Sequence, residues 1–546
     1  MLFSNHFIKA ISWFIIIASG TLLLYFVAKY ASNVPYYDDF LWGFQFINQI
    51  SDQNLGFTKK LSILFSRHNE HRIVWSHLVF WLNYALTGQL NFQWLIWVGN
   101  VALFALPVLF WKALPSHKNV PKVAWLAILA LLLWQPQAYH NIFTTYGLAN
   151  HYALLFTLAS VYTLVFLPSF FVMSLTLAVL ASLCTGGGLV AWPLGISVLL
   201  WQGKSKITLG WLAAMFCFLA FHLLVDAPPP ASTVNVPASL WLKAANVVLY
   251  VPTYCFALFE FGQYGGGITK MVATTVGFLF AGGVLFQTLK QPNLASQVRL
   301  IWKNRRTVEP GHLFLWHVVG FVLLTAFLAS LKRTNPHLYD FGIPDHYRTN
   351  SQVFVGTVGL LLAHRFGHLG RWQLALVAVM SFWTVSYYLT MPRLVNLSRQ
   401  LRADAHNFAT VGSWALFPSH VGGAYYHSAN RYTNIMIGKK IFVPQKLAPT
   451  LLKNATTPAP SRVYFDSISQ SIALVYASNS DFVLYPVNRS QLLVLPLLHT
   501  FNLPKYWFKT PTFTRSTRQV KVNRWFWAAQ GLPLNGNPTR VVNAVE

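Results

Sequence analysis

Carboxylates are the scarcest functional groups in this chain: 13 Asp and Glu stand among 546 residues, against 40 Lys and Arg. Acid–base or cation-binding chemistry therefore has few candidates, and the position of each acid carries information. Charge of either sign is scarce too, at 10% of residues, while hydrophobic residues reach 55% and mean hydropathy is +0.44. Soluble domains carry about 25% charged residues, so an ordinary soluble protein is excluded. Cysteine is nearly absent. Cys184, Cys217 and Cys255 fall in apolar stretches at unrelated spacings, which excludes a thiolate metal set and a disulfide framework. A nucleotide-phosphate loop is missing as well: the TGGG run at 185–188 lacks both the Lys-Ser/Thr of a P-loop and the strand context of a dinucleotide fingerprint, and reads as a tight turn between helices. There is no internal repeat and no long low-complexity tract.

What the chain does contain is apolar length. Runs long enough to cross a bilayer occur at about 9–29, 92–112, 122–136, 147–167, 169–183, 188–202, 207–225, 271–289, 312–331, 351–366 and 372–390. The expected fold class is a polytopic α-helical membrane protein with about 11 transmembrane helices. Two further apolar stretches, 73–88 and 241–260, read as helices lying in the interface rather than crossing it. The first of them is interrupted by His77, Asn83 and Tyr84. The net charge of +27 gathers in short loops and a C-terminal tail, not on one helical face with interleaved aromatics, so membrane topology and anionic lipid account for it and nucleic acid is not expected as a partner. Lys112, Lys118 and Lys122, then Lys204 and Lys206, then Lys290 to Arg306, then Arg365 and Arg371 mark four cytoplasmic loops. The N-terminus joins them, and the intervening loops and the C-terminal region fall on the extracytoplasmic side.

Two domains are expected: a multispan transmembrane domain over 1–391, whose first extracytoplasmic loop is 30–91, and an extracytoplasmic C-terminal domain over 392–546. The latter has 17 Lys or Arg against 4 acids and no span-length apolar run. Its short alternating stretches, RVYFDSI, SIALVYA and DFVLYPV, read as strands of a small mixed or β-rich domain. The segment TTPAPS at 456–461 reads as a loop within it.

The expected extracytoplasmic loops hold most of the unusual polar residues. Asp38 and Asp39 lie side by side in NVPYYDDF, directly after the first apolar run. Neighbours in an extended chain point to opposite faces, so the two carboxylates are expected to do different jobs. One facing the site would act as general base for an acceptor hydroxyl or as a ligand for a divalent cation; the alternative is that both cap the helix that follows. The cluster HNEHR supplies His68, Glu70, His71 and Arg72, at a spacing wrong for the helical zinc motif. It reads either as part of a binding site beside the aspartates or as an ion cluster in which Glu70 pairs with Arg67 or Arg72. Asn141, Tyr146 and Asn150 could hydrogen-bond sugar hydroxyls or serve as caps. His346 and Arg348, in PDHYRTNS, put a donor and a guanidinium where a phosphate could be gripped; the bland reading of the arginine is a side chain that snorkels to headgroups.

YYDDF, HNEHRI, HNIFTTYGLANHY and HYRTNS, in that order and on one side of a multispan core, resemble the motif order of a bacterial branch of the GT-C superfamily, membrane glycosyltransferases that use polyprenyl-phosphate sugars. The similarity covers about residues 1–390. It implies an inverting transfer from a polyprenyl-phosphate donor to a glycan, lipid or protein acceptor on the outer face of a bacterial inner membrane. Asp38 or Asp39 would activate the acceptor, while Arg348, His346 and Arg72 would stabilise the departing phosphate. Mg2+ or Mn2+ is left open, with Asp38 and Asp39 as its ligands. In the second loop this chain has Thr144, Thr145 and Tyr146 where the family pattern carries a Trp-Gly-Phe-Gln-like run. A transporter or flippase of a lipid-linked sugar is the second class of function. A membrane hydrolase is the third, and no nucleophile cluster supports it.

Overall fold

The computed structural model describes residues 5–68, 71–115, 120–224, 239–260, 267–289, 307–332, 343–366, 369–411, 423–444 and two short strands at 464–466 and 471–473. Glu70, the basic loop from Lys290 to Arg306, the TTPAPS loop and the stretch DFVLYPV lie outside them.

The chain opens with α1 (Asn5–Tyr30), a π-helical turn (Phe40–Gln45), α2 (Phe46–Ile50), α3 (Phe57–Leu64), the strands β1 (Arg67–His68) and β2 (His71–Arg72), and α4 (Val74–Thr87). The first half of the bundle follows as α5 (Phe92–Leu109), α6 (Lys122–Leu133), α7 (Tyr139–Phe143), α8 (Tyr146–Phe166), α9 (Phe171–Ser182), α10 (Ala191–Trp201) and α11 (Ser205–Leu224). The second half is α12 (Leu240–Cys255), α13 (Gly267–Leu289), α14 (Pro310–Lys332), α15 (Arg348–Phe366), α16 (Leu369–Val411) and α17 (Gly423–Gly438). A hairpin of β3 (Tyr464–Asp466) and β4 (Ser471–Ala473) lies in the C-terminal region.

Seven helices among the described residues are long and apolar enough to cross a membrane: Asn5–Tyr30, Phe92–Ala113, Tyr146–Phe166, Ser205–Leu224, Lys270–Gln287, Pro310–Lys332 and Arg371–Met391. Each coincides with an expected span. The other four expected spans differ, for physical reasons. α6 and α9 have 12 residues each and α10 has 11, about 18 Å at 1.5 Å per residue, well short of a hydrocarbon layer of about 30 Å. α6 stops where Pro136 disfavours helical backbone at Gln135, which is extended at φ −138° and ψ 152°. α15 has 19 residues but begins Arg-Thr-Asn-Ser-Gln and ends His-Arg-Phe, too polar to rank with the seven. α4 and α12, the two stretches expected not to cross, have 14 and 16 residues and are absent from the spanning set. α4 buries Val74, His77, Phe80 and Asn83 and turns the apolar Leu78, Trp81, Leu82 and Leu86 outward, so its polar residues face the protein and its outer face is apolar.

The main core joins α1, α5, α6, α8, α10, α14 and α15. A second core lies beneath the first loop, where Phe40, Phe44, Phe80, Phe92 and Phe442 are fully buried together. Gly43 lets this happen, since a Cβ there would lie 2.5 Å from the Phe80 ring. The division expected at 391/392 falls inside α16, which runs unbroken for 43 residues. Beyond its apolar part, Arg371–Met391, α16 packs back on the first loop: Leu401, Ala405 and Phe408 join the second core, as do Met436 of α17 and Ile441. The β3–β4 hairpin is antiparallel and pairs Phe465 with Ile472; the rest of the expected β-rich domain lies outside the described residues.

Candidate active site

The first loop is held at its start before its carboxylates are placed. A helix leaves its last carbonyls without partners, and at the end of α1 two side chains of α16 supply them: Ser398 Oγ donates to the Tyr30 carbonyl at 2.7 Å and Arg402 Nη2 to that of Lys29 at 2.8 Å. The chain then reverses through Tyr37, whose φ of +45° is in the left-handed region that a bulky residue rarely occupies. Asp39 N–H donates to the Tyr36 carbonyl at 3.1 Å, while the Asp38 carbonyl accepts from the amides of Leu41 and Trp42 at 2.9 and 2.6 Å. Those two bonds start the π-helical turn. The two carboxylates do diverge, but a turn separates them rather than an extended strand, and the Asp39 side chain makes no capping bond to the helix that follows.

Asp39 is 2% exposed. Its Oδ2 accepts the Tyr36 N–H at 2.8 Å and its Oδ1 accepts the Thr145 hydroxyl. Burial pushes its pKa from the ordinary 3.8 up to about 7, against those two hydrogen bonds and with a further upward push from the charge of Asp38. Asp38 faces outward, with a quarter of its side chain exposed. Its Oδ2 accepts the Tyr146 hydroxyl at 2.8 Å, and its Oδ1 lies 3.6 Å from His68 Nε2. That gap is too long for a hydrogen bond.

Aromatic rings build the walls around Asp38. Trp42 meets both His68 and Tyr146 edge-on at 5.4 Å, and His346 stacks on Tyr146 at 6.1 Å with 18° between the planes. Asn141 does not reach this surface: fully buried, it donates to the His346 carbonyl at 2.8 Å and accepts from Asn150 at 3.0 Å. Its role is to tie the second polar loop to the third. His71 accepts the Gly186 amide at 3.2 Å, so it packs on the TGGG turn rather than on Asp38.

Arg348 is 1% exposed and pairs with Asp345 at 2.5 Å, with the Gln137 carbonyl at 3.3 Å. Asp345 lies 3.6 Å from His140 Nδ1, whose other nitrogen is 3.2 Å from the Tyr36 hydroxyl. A chain of polar groups thus runs from Arg348 through Asp345, His140 and Tyr36 to the residue whose amide holds Asp39. Burial lowers the His140 pKa, opposed by Asp345 and reinforced by Arg348. Glu260, isolated in the sequence, is buried beside this group: burial pushes its pKa up to about 7, opposed by Arg348, Lys270 and the Ile343 backbone, and raised again by Asp345. None of Asp345, Glu260, Tyr36 and Thr145 stands out from the sequence as a site residue. The scarcity that drew attention to Asp38 applied equally to the two acids.

Arg72 belongs elsewhere. In the β1–β2 hairpin Arg67 faces Arg72, and both guanidinia donate to the His222 carbonyl in the last turn of α11, Arg72 at 3.1 Å. Arg72 also donates to the Phe65 carbonyl and lies over the Phe221 ring at 5.2 Å. Two cations at a helix C-terminus complement its dipole, and this buried arginine is 1% exposed. The pairing of Glu70 with either arginine falls outside the described residues.

Mg2+ or Mn2+ shared by the aspartates fits this arrangement poorly. Both Asp39 oxygens are engaged, so a hard cation would find one carboxylate beside an imidazole and a phenol, whereas it prefers an oxygen cage. Fold and site together define a helical membrane protein with a polar, aromatic-walled site where several helices begin and end. Comparison with protein-family models, curated proteins and solved structures finds no match for this chain.

Proposed function

We propose that this protein is an inverting glycosyltransferase of the GT-C type, with about eleven membrane-embedded helices, transferring a sugar from a polyprenyl-phosphate donor to a glycan, lipid or protein acceptor. Its site would face the extracytoplasmic side of a bacterial inner membrane. The observation that carries the reading is the difference between adjacent carboxylates: Asp39 is buried and held by two donors, while Asp38 keeps a quarter of its side chain exposed beside Tyr146 and His68. In the proposed reaction Asp38 takes the proton of the acceptor hydroxyl as that oxygen forms a bond to the anomeric carbon. The bond from that carbon to the phosphate oxygen breaks, and the lipid phosphate leaves with the electron pair. His68, beside Asp38, and His346, stacked on Tyr146, suit hydrogen bonding to sugar or phosphate. Arg348, enclosed with Asp345, positions the loop bearing His346 and does not touch the phosphate. Aromatic walls suit the apolar faces of a sugar ring.

The test is transfer by purified protein from defined polyprenyl-phosphate sugars. Asp38→Asn is expected to lower the rate roughly 100- to 10,000-fold, the range of general-base catalysis, with the fold intact. A wild-type rate for Asp38→Asn would overturn the assignment. The buried Glu260, Asp345 and Arg348 group favours a second reading, translocation of a lipid-linked sugar, since ionisable groups enclosed in a bundle mark transport paths. That reading expects wild-type protein in vesicles to move the lipid without forming a glycoside, and Asp38→Asn to leave the movement unchanged.

A further inference from the structure

A second cluster of ligating side chains lies far from Asp38. Helix α15 begins at Arg348 in the site described above, and His364 follows 16 residues later, about 24 Å along the helix at 1.5 Å per residue. There His364 meets Glu309 and His312 at the start of α14, and one ligand atom from each of the three lies within 4.8 Å of the others. His312 Nδ1 is 3.1 Å from a Glu309 carboxylate oxygen, and the two imidazoles are 4.3 Å apart.

From this geometry we infer a divalent transition-metal site, with Zn2+ as its natural ion, formed by Glu309, His312 and His364. Two imidazoles and a carboxylate are a borderline-soft donor set that suits zinc and leaves a fourth tetrahedral position for water. A second observation points the same way. His364 Nε2 lies 2.9 Å from the Ala113 carbonyl; a carbonyl only accepts, so Nε2 carries the proton and Nδ1 is left in the form that ligates. A backbone carbonyl holding the far nitrogen is the usual support of a metal-bound histidine. Backbone space is reserved too: a Cβ on Gly311 would lie 3.3 Å from the Ala113 Cα and 3.6 Å from a Glu309 oxygen, so glycine lets the start of α14 close on this corner. The site joins three separate segments, the short 3-10 turn after α5 (Trp111–Ala113), the start of α14 and the end of α15. An ion there would clamp the end of the bundle opposite Asp38.

The experiment is calorimetric titration of metal-stripped, full-length protein in detergent with Zn2+, repeated with Co2+ while its visible spectrum is recorded. One equivalent is expected to bind, with a tetrahedral Co2+ spectrum. His312→Ala and His364→Ala should each abolish the spectrum, and Glu309→Gln should weaken binding at least tenfold. Asp38→Asn should bind as wild type does. Glu309 and His312 are substantially exposed, so their variants should fold, which an unchanged elution volume would verify. Stoichiometric binding that survives both histidine substitutions, loss of binding with Asp38→Asn, or no binding by wild type would each overturn the site.

Discussion

At the scale of single residues, Asp38 and Asp39 differ chiefly in access to water, and that difference makes their titration a measurable property. The folded pKa of Asp39 lies above its ordinary value, so its contribution to stability is fully present below about pH 3.8 and is lost as pH rises through 7. Full ionisation would cost on the order of 4 kcal/mol as an upper figure. His77 acts in the opposite sense. It stacks on Phe46 at 4.1 Å, its Nδ1 is 3.0 Å from the Leu64 carbonyl, and burial lowers its pKa to about 4. Its contribution is present above about pH 6.5 and is lost as pH falls through 4. Replacing Asp39 with Asn is therefore expected to make Tm rise more steeply between pH 4 and 7 than in wild type, and His77→Gln to make it rise less. Melting curves of the three proteins across that range check both, and superimposable profiles would remove Asp39 and His77 from the account.

At the scale of elements, buried charge holds the third polar loop against the second. Arg348 and Asp345 are each 1% exposed, and removing one partner from a buried pair costs about 3 to 5 kcal/mol because the other charge is stranded. Asp345→Asn and Arg348→Gln should each lower thermal stability severely, while Asp345→Leu with Arg348→Met should cost less than the sum of the singles. A double-mutant cycle in detergent measures this, and additive losses would mean that the pair is not coupled. The caps on α1 are a milder case. Ser398→Ala removes one hydrogen bond to the Tyr30 carbonyl and should cost about 1 kcal/mol. Because α16 carries that cap, the change should loosen the first loop and raise hydrogen exchange around residues 31–39.

At the scale of the whole molecule, the functional proposal depends on which side of the membrane Asp38 occupies. Gln53, in the same loop, and Lys206, at the start of α11, are both exposed and should lie on opposite sides. In a Cys217→Ser background, whose remaining cysteines Cys184 and Cys255 are buried, cysteine at position 53 should react with a membrane-impermeant maleimide in intact cells. Cysteine at position 206 should react only after permeabilisation. The reverse pattern would turn the site towards the cytoplasm and rule out a lipid-linked donor on the outer face.

Composition alone pointed to a helical membrane protein, and apolar run length located the seven helices among the described residues that are long and apolar enough to span, because both depend on local hydrophobicity summed over about twenty residues. The acidic pair was legible for a similar reason, since a carboxylate is conspicuous where carboxylates are rare. Run length overstated α6, α9 and α10, whose helices are 12, 12 and 11 residues long, because an apolar run does not show where a proline or a turn ends the helix; and the boundary expected at 391 falls inside the continuous helix α16. Only the tertiary structure decided which aspartate meets water, that Arg72 serves a helix end, and that Glu260 lies beside Arg348 and Asp345. Those outcomes rest on partners distant in the chain, such as Thr145 for Asp39 and His222 for Arg72, and a side chain's charge state and access follow from such partners rather than from its neighbours in sequence.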